Sequence, residues 1–176
     1  MKTAFHLIST ISKKNNVCCV LIGGFAVNYY NVTRQTADID FLITETDYKK
    51  ILPYLIKAGY KQDNIQKVFV HLKSDKYLFD IDFMFVDKDT LDKIVNNAKR
   101  IRIAGEEFFL PSLYNLLALK IHSIKYNPLF RENKDLPDII NLIRSNKVDY
   151  KSANFKQLCL KYGNEEIYRK ILERIK

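Results

Sequence analysis

The stretch Val17-Cys18-Cys19-Val20-Leu21-Ile22-Gly23-Gly24-Phe25-Ala26 is followed, past one polar segment, by Ala37-Asp38-Ile39-Asp40-Phe41-Leu42-Ile43. The first run is apolar without interruption and rich in branched side chains, as expected of a strand buried on both faces. It breaks at Gly23-Gly24, after which Phe25 to Tyr30 reads as a short helix. In the second run a period of two sets Asp38, Asp40 and Leu42 on one face and Ile39, Phe41 and Ile43 on the other, so residues 37–43 read as a second strand. A buried strand, a glycine turn, a short helix and a strand with one acidic face begin an α/β sheet.

Working outward, Ala4, Leu7, Ile8 and Ile11 recur at helical spacing after Met1-Lys2, and Lys13-Lys14-Asn15-Asn16 follows. His6, Ser9 and Thr10 interrupt the apolar run, which makes this an amphipathic helix and not a signal peptide. Downstream, Thr44 opens a capping-box-like start, and Tyr48, Ile51, Leu52, Leu55 and Ile56 form a helical stripe ending near Gly59. Pro53 is expected to kink it. Residues 68–72 and 77–86 read as strands joined by the polar turn Lys73-Ser74-Asp75-Lys76, a hairpin. From about Phe108 the pattern is helical. A helix over 113–126 with Ser112 as cap leads through an Asn127-Pro128 loop to helices over 136–145, 150–162 and 165–175, the last two separated at Gly163. The reading is a mixed α/β (α+β) core over 1–107 and a helical C-terminal region over 108–176 that packs on it.

Of 176 residues, 47% are apolar and 28% charged, the composition of a folded domain, which excludes disordered, collagen-like and disulfide-scaffold classes. The longest run without a polar side chain, Val17 to Val27, is shorter than the roughly 20 residues of a membrane span, so no membrane partner is expected. Cys18, Cys19 and Cys159 fit neither a disulfide framework nor a metal spacing and read as reduced, buried and cytoplasmic. The net charge of +9 favours an anionic partner, although a chain rich in Lys and Asn can be basic through genome composition alone. From Asn141 onward, nine Lys and Arg face four Asp and Glu, a balance suited to guiding a phosphate backbone.

Asp38-Ile39-Asp40 puts two like charges on one face of an apolar strand, and Asp80-Ile81-Asp82, inside Tyr77-Leu78-Phe79 and Phe83-Met84-Phe85-Val86, repeats the arrangement. Either the carboxylates are solvated on an outer face, or neighbouring strands bring them together to hold two metal ions about 4 Å apart for in-line phosphoryl displacement. Gly23-Gly24 leaves backbone N–H groups open to a phosphate at a helix start. Arg34 and Thr36, just before the acid pair, offer a phosphate fork and a hydroxyl ligand, or are plain loop residues. Lys120 falls within the apolar stripe of Leu113, Leu116, Leu117, Ile121 and Ile124, so its ammonium either snorkels to water or meets a carboxylate or phosphate. Asp135 can cap a helix with Pro137 in its first turn and Asp138 favouring the dipole. His6, His71 and His122 lack paired metal spacing, which argues against zinc, and no serine-hydrolase, Walker A or dinucleotide fingerprint occurs.

Taken together, Leu21-Ile22-Gly23-Gly24-Phe25-Ala26, Arg34-x-Thr36-x-Asp38-Ile39-Asp40-Phe41-Leu42-Ile43 and Phe79-Asp80-Ile81-Asp82-Phe83 resemble the DNA polymerase beta-like nucleotidyltransferase superfamily. Leu116-x-x-Leu119-Lys120 and Arg131-x-x-Lys134-Asp135-x-x-Asp138 are similar to the AbiEii type of nucleotidyltransferase toxins, including MenT-like enzymes; the likeness spans residues 17–143. The resemblance implies Asp38 and Asp40 as the metal-binding pair, Asp82 as third carboxylate with Asp80 as rival, and Gly23 and Gly24 facing the triphosphate. It also implies Lys120 at nucleotide phosphate and Asp135 with Asp138 as a late acidic motif. Gly24 stands where many relatives have serine. The expected activity is Mg²⁺-dependent transfer of a nucleoside monophosphate from an NTP to a hydroxyl acceptor. An RNA end (tRNA) or a protein is favoured, with a cognate antitoxin as partner. The alternatives are an antibiotic-type small-molecule acceptor, or a catalytically silent nucleotide-binding protein.

Overall fold

The computed structural model describes residues 3–175; Met1 and Lys2, which open the first amphipathic segment, and Lys176 lie outside it. In chain order the elements are α1 (Ala4–Lys14), β1 (Val20–Leu21), α2 (Gly23–Tyr29), β2 (Asp38–Ile43), α3 (Glu45–Ala58), β3 (Lys61–Gln66), β4 (Phe69–Lys73) and β5 (Asp80–Phe85). Then come α4 (Lys88–Asn96), β6 (Lys99–Ile103), β7 (Glu106–Leu110), α5 (Leu113–Tyr126), α6 (Pro128–Ser145), α7 (Ala153–Tyr162) and α8 (Glu165–Ile175). The chain divides into two units: one holds the sheet, through Ala26 and from Gln35 to Ser112, and the other takes Val27–Arg34 with Leu113 onward.

The sheet unit is a seven-stranded mixed sheet in the order β3-β4-β5-β2-β1-β7-β6, as the α/β reading requires. Parallel pairing joins β2 to β5 and β1 to β7; the remaining neighbours are antiparallel. On one face of β2 and β5, Ile39, Phe41, Ile43, Ile81 and Phe83 have no solvent exposure. Aromatic rings lock this face: Phe41 against Phe83 and Phe108, Phe5 against Phe108, and Tyr48 of α3 against Phe83 and Phe85. The opposite face of the same strands carries the acids at positions 38, 40, 80 and 82, with Leu42 buried beyond them.

The two capping signals for α3 hold. The Thr44 hydroxyl accepts from the Asp47 amide at 3.1 Å, Gly59 closes the helix at φ 109°, and the helix runs through Pro53. The first strand is much shorter than the apolar run 17–22, only Val20–Leu21, because the residues before it line the end of α1: the Val17 amide donates to Ser12 and the Cys19 thiol meets the Ser12 hydroxyl. Burial pushes the Cys19 and Cys159 thiols up to about 12, and Cys18 is raised by the same cause, so all three are free and protonated. Four elements lie outside the sequence reading: edge strand β3, exposed at every residue, the β6–β7 hairpin, and α4, which carries an Asp87 cap and buried Leu91 and Ile94 at helical spacing. Residue 108, the expected core boundary, lies inside β7, where Phe108 and Leu110 are buried.

The helical unit departs from expectation at one helix. Asp135 and Pro137 do not begin it, because α6 starts eight residues earlier with Asn127 as N-cap and Pro128 in its first turn, a position that tolerates the missing amide hydrogen. The segment 27–34 belongs here through the Asn146 side chain, which donates to the Tyr30 carbonyl at 2.8 Å. Among the described residues no helix is long and apolar enough to cross a membrane.

Phe41, enclosed between Phe83 and Phe108, sets the acidic strand against its oily layer. Phe41→Ala should cost about 3–5 kcal/mol of stability in urea unfolding; a loss under about 1 kcal/mol would contradict this packing.

Candidate active site

The acidic face is built by register. Asp38 pairs with Asp80 and Asp40 with Asp82 across the parallel β2–β5 ladder, so four carboxylates from two strands share one side of the sheet. Each is partly exposed, and each apolar neighbour between them points into the core. β4 adds a fifth polar group, because His71 stands opposite Asp82 in the antiparallel β4–β5 pairing.

Protein partners hold several of these groups. The Thr36 hydroxyl donates to the Asp38 carboxylate at 3.2 Å or its carbonyl at 3.0 Å. The Ser74 amide donates to Asp80 Oδ1 at 3.2 Å, and His71 Nδ1 lies 2.5 Å from Asp82 Oδ1. The Tyr60 hydroxyl donates to the Phe79 carbonyl, anchoring the residue before Asp80. Burial, then the neighbouring Tyr77 and Asp80, keeps the Tyr60 phenol above its usual range and hence a donor.

Gly23 brings the glycine turn to this face. Its φ of 63° disfavours any L side chain, and a Cβ there would overlap the Asp40 carboxylate, so Asp40 packs directly on the Gly23 backbone. The Ile22 amide donates to the Asp40 carbonyl at 2.9 Å, tying the turn to the strand. Gly23 and Gly24 then open α2. The sheet unit thus brings together Gly23, Gly24, Thr36, Asp38, Asp40 and Asp82 from the sequence-derived set.

The donor set suits a hard divalent cation: carboxylate oxygens in register on adjacent strands, with apolar packing behind them. As oriented, the side chains are turned toward protein partners, and among the described residues no three His, Cys, Asp or Glu side chains form a metal-holding group. His71 is the group that sequence reasoning missed. Its signal was the alternation of His71 between Val70 and Leu72, which becomes informative only with the cross-strand register.

The helical unit gathers Arg34, Lys120 and Asp135, with Asp138. Lys120 Nζ lies 2.8 Å from Asp135 Oδ1 and 2.7 Å from Asp138 Oδ2, and Arg34 Nη1 lies 3.2 Å from the same Asp138 oxygen. Lys120, Asp135 and Asp138 are each under a tenth exposed. Lys120 therefore meets carboxylates instead of snorkelling, and two cations balance two anions. The Asn28 side chain fixes Arg34 by bonding both its backbone amide and carbonyl at 2.9 Å.

Residues 4–111 match the sequence model of the family described as aminoglycoside-2''-adenylyltransferase. None of the curated proteins matches the chain in sequence. Among solved structures the fold is similar to ANT(2'')-Ia in complex with adenylyl-2''-tobramycin, at 14% identity and TM-score 0.60 over 97% of this chain and 96% of that one. It is similar to a nucleotidyltransferase-like protein from Paracoccidioides brasiliensis, at 16% identity and TM-score 0.58 over 98% and 88%. Lincosamide adenylyltransferase LnuA, solved with lincomycin, follows at 18% identity and TM-score 0.53 over 77% and 91%.

Removing the ammonium of the buried network leaves two carboxylates short of a counter-charge. Lys120→Ala should lose about 3–5 kcal/mol in denaturant unfolding, and a variant as stable as wild type would contradict a buried, mutually neutralised network.

Proposed function

The chain belongs to the aminoglycoside-2''-adenylyltransferase family and is a nucleotidyltransferase, and we propose that it moves a nucleoside monophosphate from an NTP to a hydroxyl of an RNA end. The observation that carries the chemistry is the pairing of Asp38 with Asp80 and Asp40 with Asp82, beside a glycine turn that packs on Asp40. The acceptor oxygen attacks the α-phosphorus, a new O–P bond forms, the α–β bridging bond breaks, and pyrophosphate leaves. Asp38 and Asp40, with Asp82, would hold Mg²⁺, which when bound supplies charge against the phosphate oxygens. Asp82 takes the acceptor proton, with Asp80 one pleat away as the alternative base. Gly23 and Gly24 offer backbone amides to the triphosphate, and Thr36 braces Asp38. Arg34, Lys120 and Asp135 are not needed for this reading, since their charges already satisfy one another.

Charge supports the acceptor class. The helical unit carries 14 of the 29 Lys and Arg against 7 of the 20 Asp and Glu, whereas the sheet unit is nearly balanced. All seven of those acids are engaged. Asp135 and Asp138 meet Lys120, Glu132 and Glu166 meet Lys170, Glu165 meets Lys156, Glu173 meets Arg169, and Asp149 accepts from the Lys151 amide. An aminoglycoside is a polycation and needs unpaired carboxylates; a phosphate backbone needs surplus cations, which this unit has. The finer form of this reading is the toxin of a toxin-antitoxin pair, held by a cognate antitoxin. The second reading is a small-molecule acceptor, favoured by the likeness to two antibiotic adenylyltransferases.

Asp38→Ala and Asp40→Ala should each lower NMP transfer at least about 100-fold, measured as pyrophosphate release; near-normal rates in both would sink the assignment. RNA binding, followed by filter retention, should weaken at least about tenfold between about 50 and about 200 mM salt. Salt-independent binding, or label passing from NTP to an aminoglycoside or lincosamide and not to RNA, would replace the first reading with the second.

A further inference from the structure

The proposed transfer leaves one side chain of the acidic face without a role. His71 sits in the middle of β4, between Val70 and Leu72, both essentially without exposure, so its backbone is fixed while its ring lies on the side of the acids. Its side chain is 20% exposed, and both ring nitrogens face carboxylates: Nδ1 lies 2.5 Å from Asp82 Oδ1 and Nε2 lies 3.6 Å from Asp80 Oδ2. The Ser74 amide meets the other oxygen of Asp80. One imidazole therefore spans the two acids of β5, whichever of them is the third carboxylate of the site.

Resting on the functional reading above, we infer that His71 is a positioning residue: with the proton on Nδ1 it donates to Asp82 Oδ1 and fixes the torsion of the carboxylate that takes part in the reaction. The terminal torsion of a carboxylate is broad, and four acids in register repel one another. A ring on a fixed strand backbone, donating to one oxygen, removes that freedom. Outer partners of metal-binding and basic groups act in this way, and their loss is felt at the group they orient.

The test compares wild type, His71→Ala and His71→Asn, whose side-chain amide retains a donor. Steady-state transfer from an NTP to total RNA is measured with Mn²⁺ binding by electron paramagnetic resonance and with thermal unfolding. His71→Ala should lose at least about 10-fold in kcat with the NTP KM within about twofold, bind Mn²⁺ about 10-fold more weakly, and recover most of both in His71→Asn. An alanine variant with kcat and Mn²⁺ affinity within about twofold of wild type overturns the inference. So does an equal loss in both variants that tracks a fall in melting temperature, which would make His71 a packing residue only. A wild-type protein that neither transfers NMP nor binds Mn²⁺ overturns the functional reading and this inference with it.

Discussion

The parallel pairing of β2 with β5 is the constraint on which the rest depends. A one-residue slip between these strands would send every acid of one of them into the oily layer and every apolar neighbour to the surface. That cost makes the register specific, because Ile39, Phe41, Ile81 and Phe83 have no exposure and each ring has a partner. The acidic face is thus a by-product of core packing on its reverse. Four like charges held side by side are unfavourable in isolation, and the fold offsets them with donors: a threonine hydroxyl, a serine amide and an imidazole.

The glycine turn belongs to the same construction. Gly23 is required by two independent facts, a left-handed backbone and a carboxylate packed where a side chain would stand. Gly23 makes room for an acid, so the glycine turn and the carboxylate strand depend on each other. The helical unit shows a contrasting use of charge. Its buried acids are spent on Lys120 and Arg34, which leaves its surface balance strongly positive.

What was legible in the sequence follows from which forces act locally. Strand β2, the Thr44 cap, the Gly59 stop and the span of α5 are written in alternation, capping chemistry and helical stripes, and all are found where those signals place them. The two acid pairs were visible, but their convergence needed the β2–β5 register, which no local pattern encodes. Edge strand β3 and the strands of the β6–β7 hairpin were invisible, because β3, exposed throughout, carries no apolar alternation and Lys99, Arg100 and Arg102 make β6 look like a loop. The α6 start was misplaced because Asp135 and Pro137 mimic a cap; Asp135 is instead held by Lys120 inside a helix already under way. His71 was passed over for the same reason as the register: its partners lie on another strand.

The central claim is that the β2–β5 acidic face beside Gly23-Gly24 is where the nucleotide reacts. The most direct measurement is a crystal structure of the protein soaked with Mn²⁺ and an NTP analogue whose α–β bridge cannot be cleaved, with an anomalous difference map recorded at the manganese edge. Manganese should lie between Asp38 and Asp40, with a triphosphate against the Gly23-Gly24 amides. Manganese and nucleotide bound elsewhere, with the acids still turned to their protein partners, would contradict it.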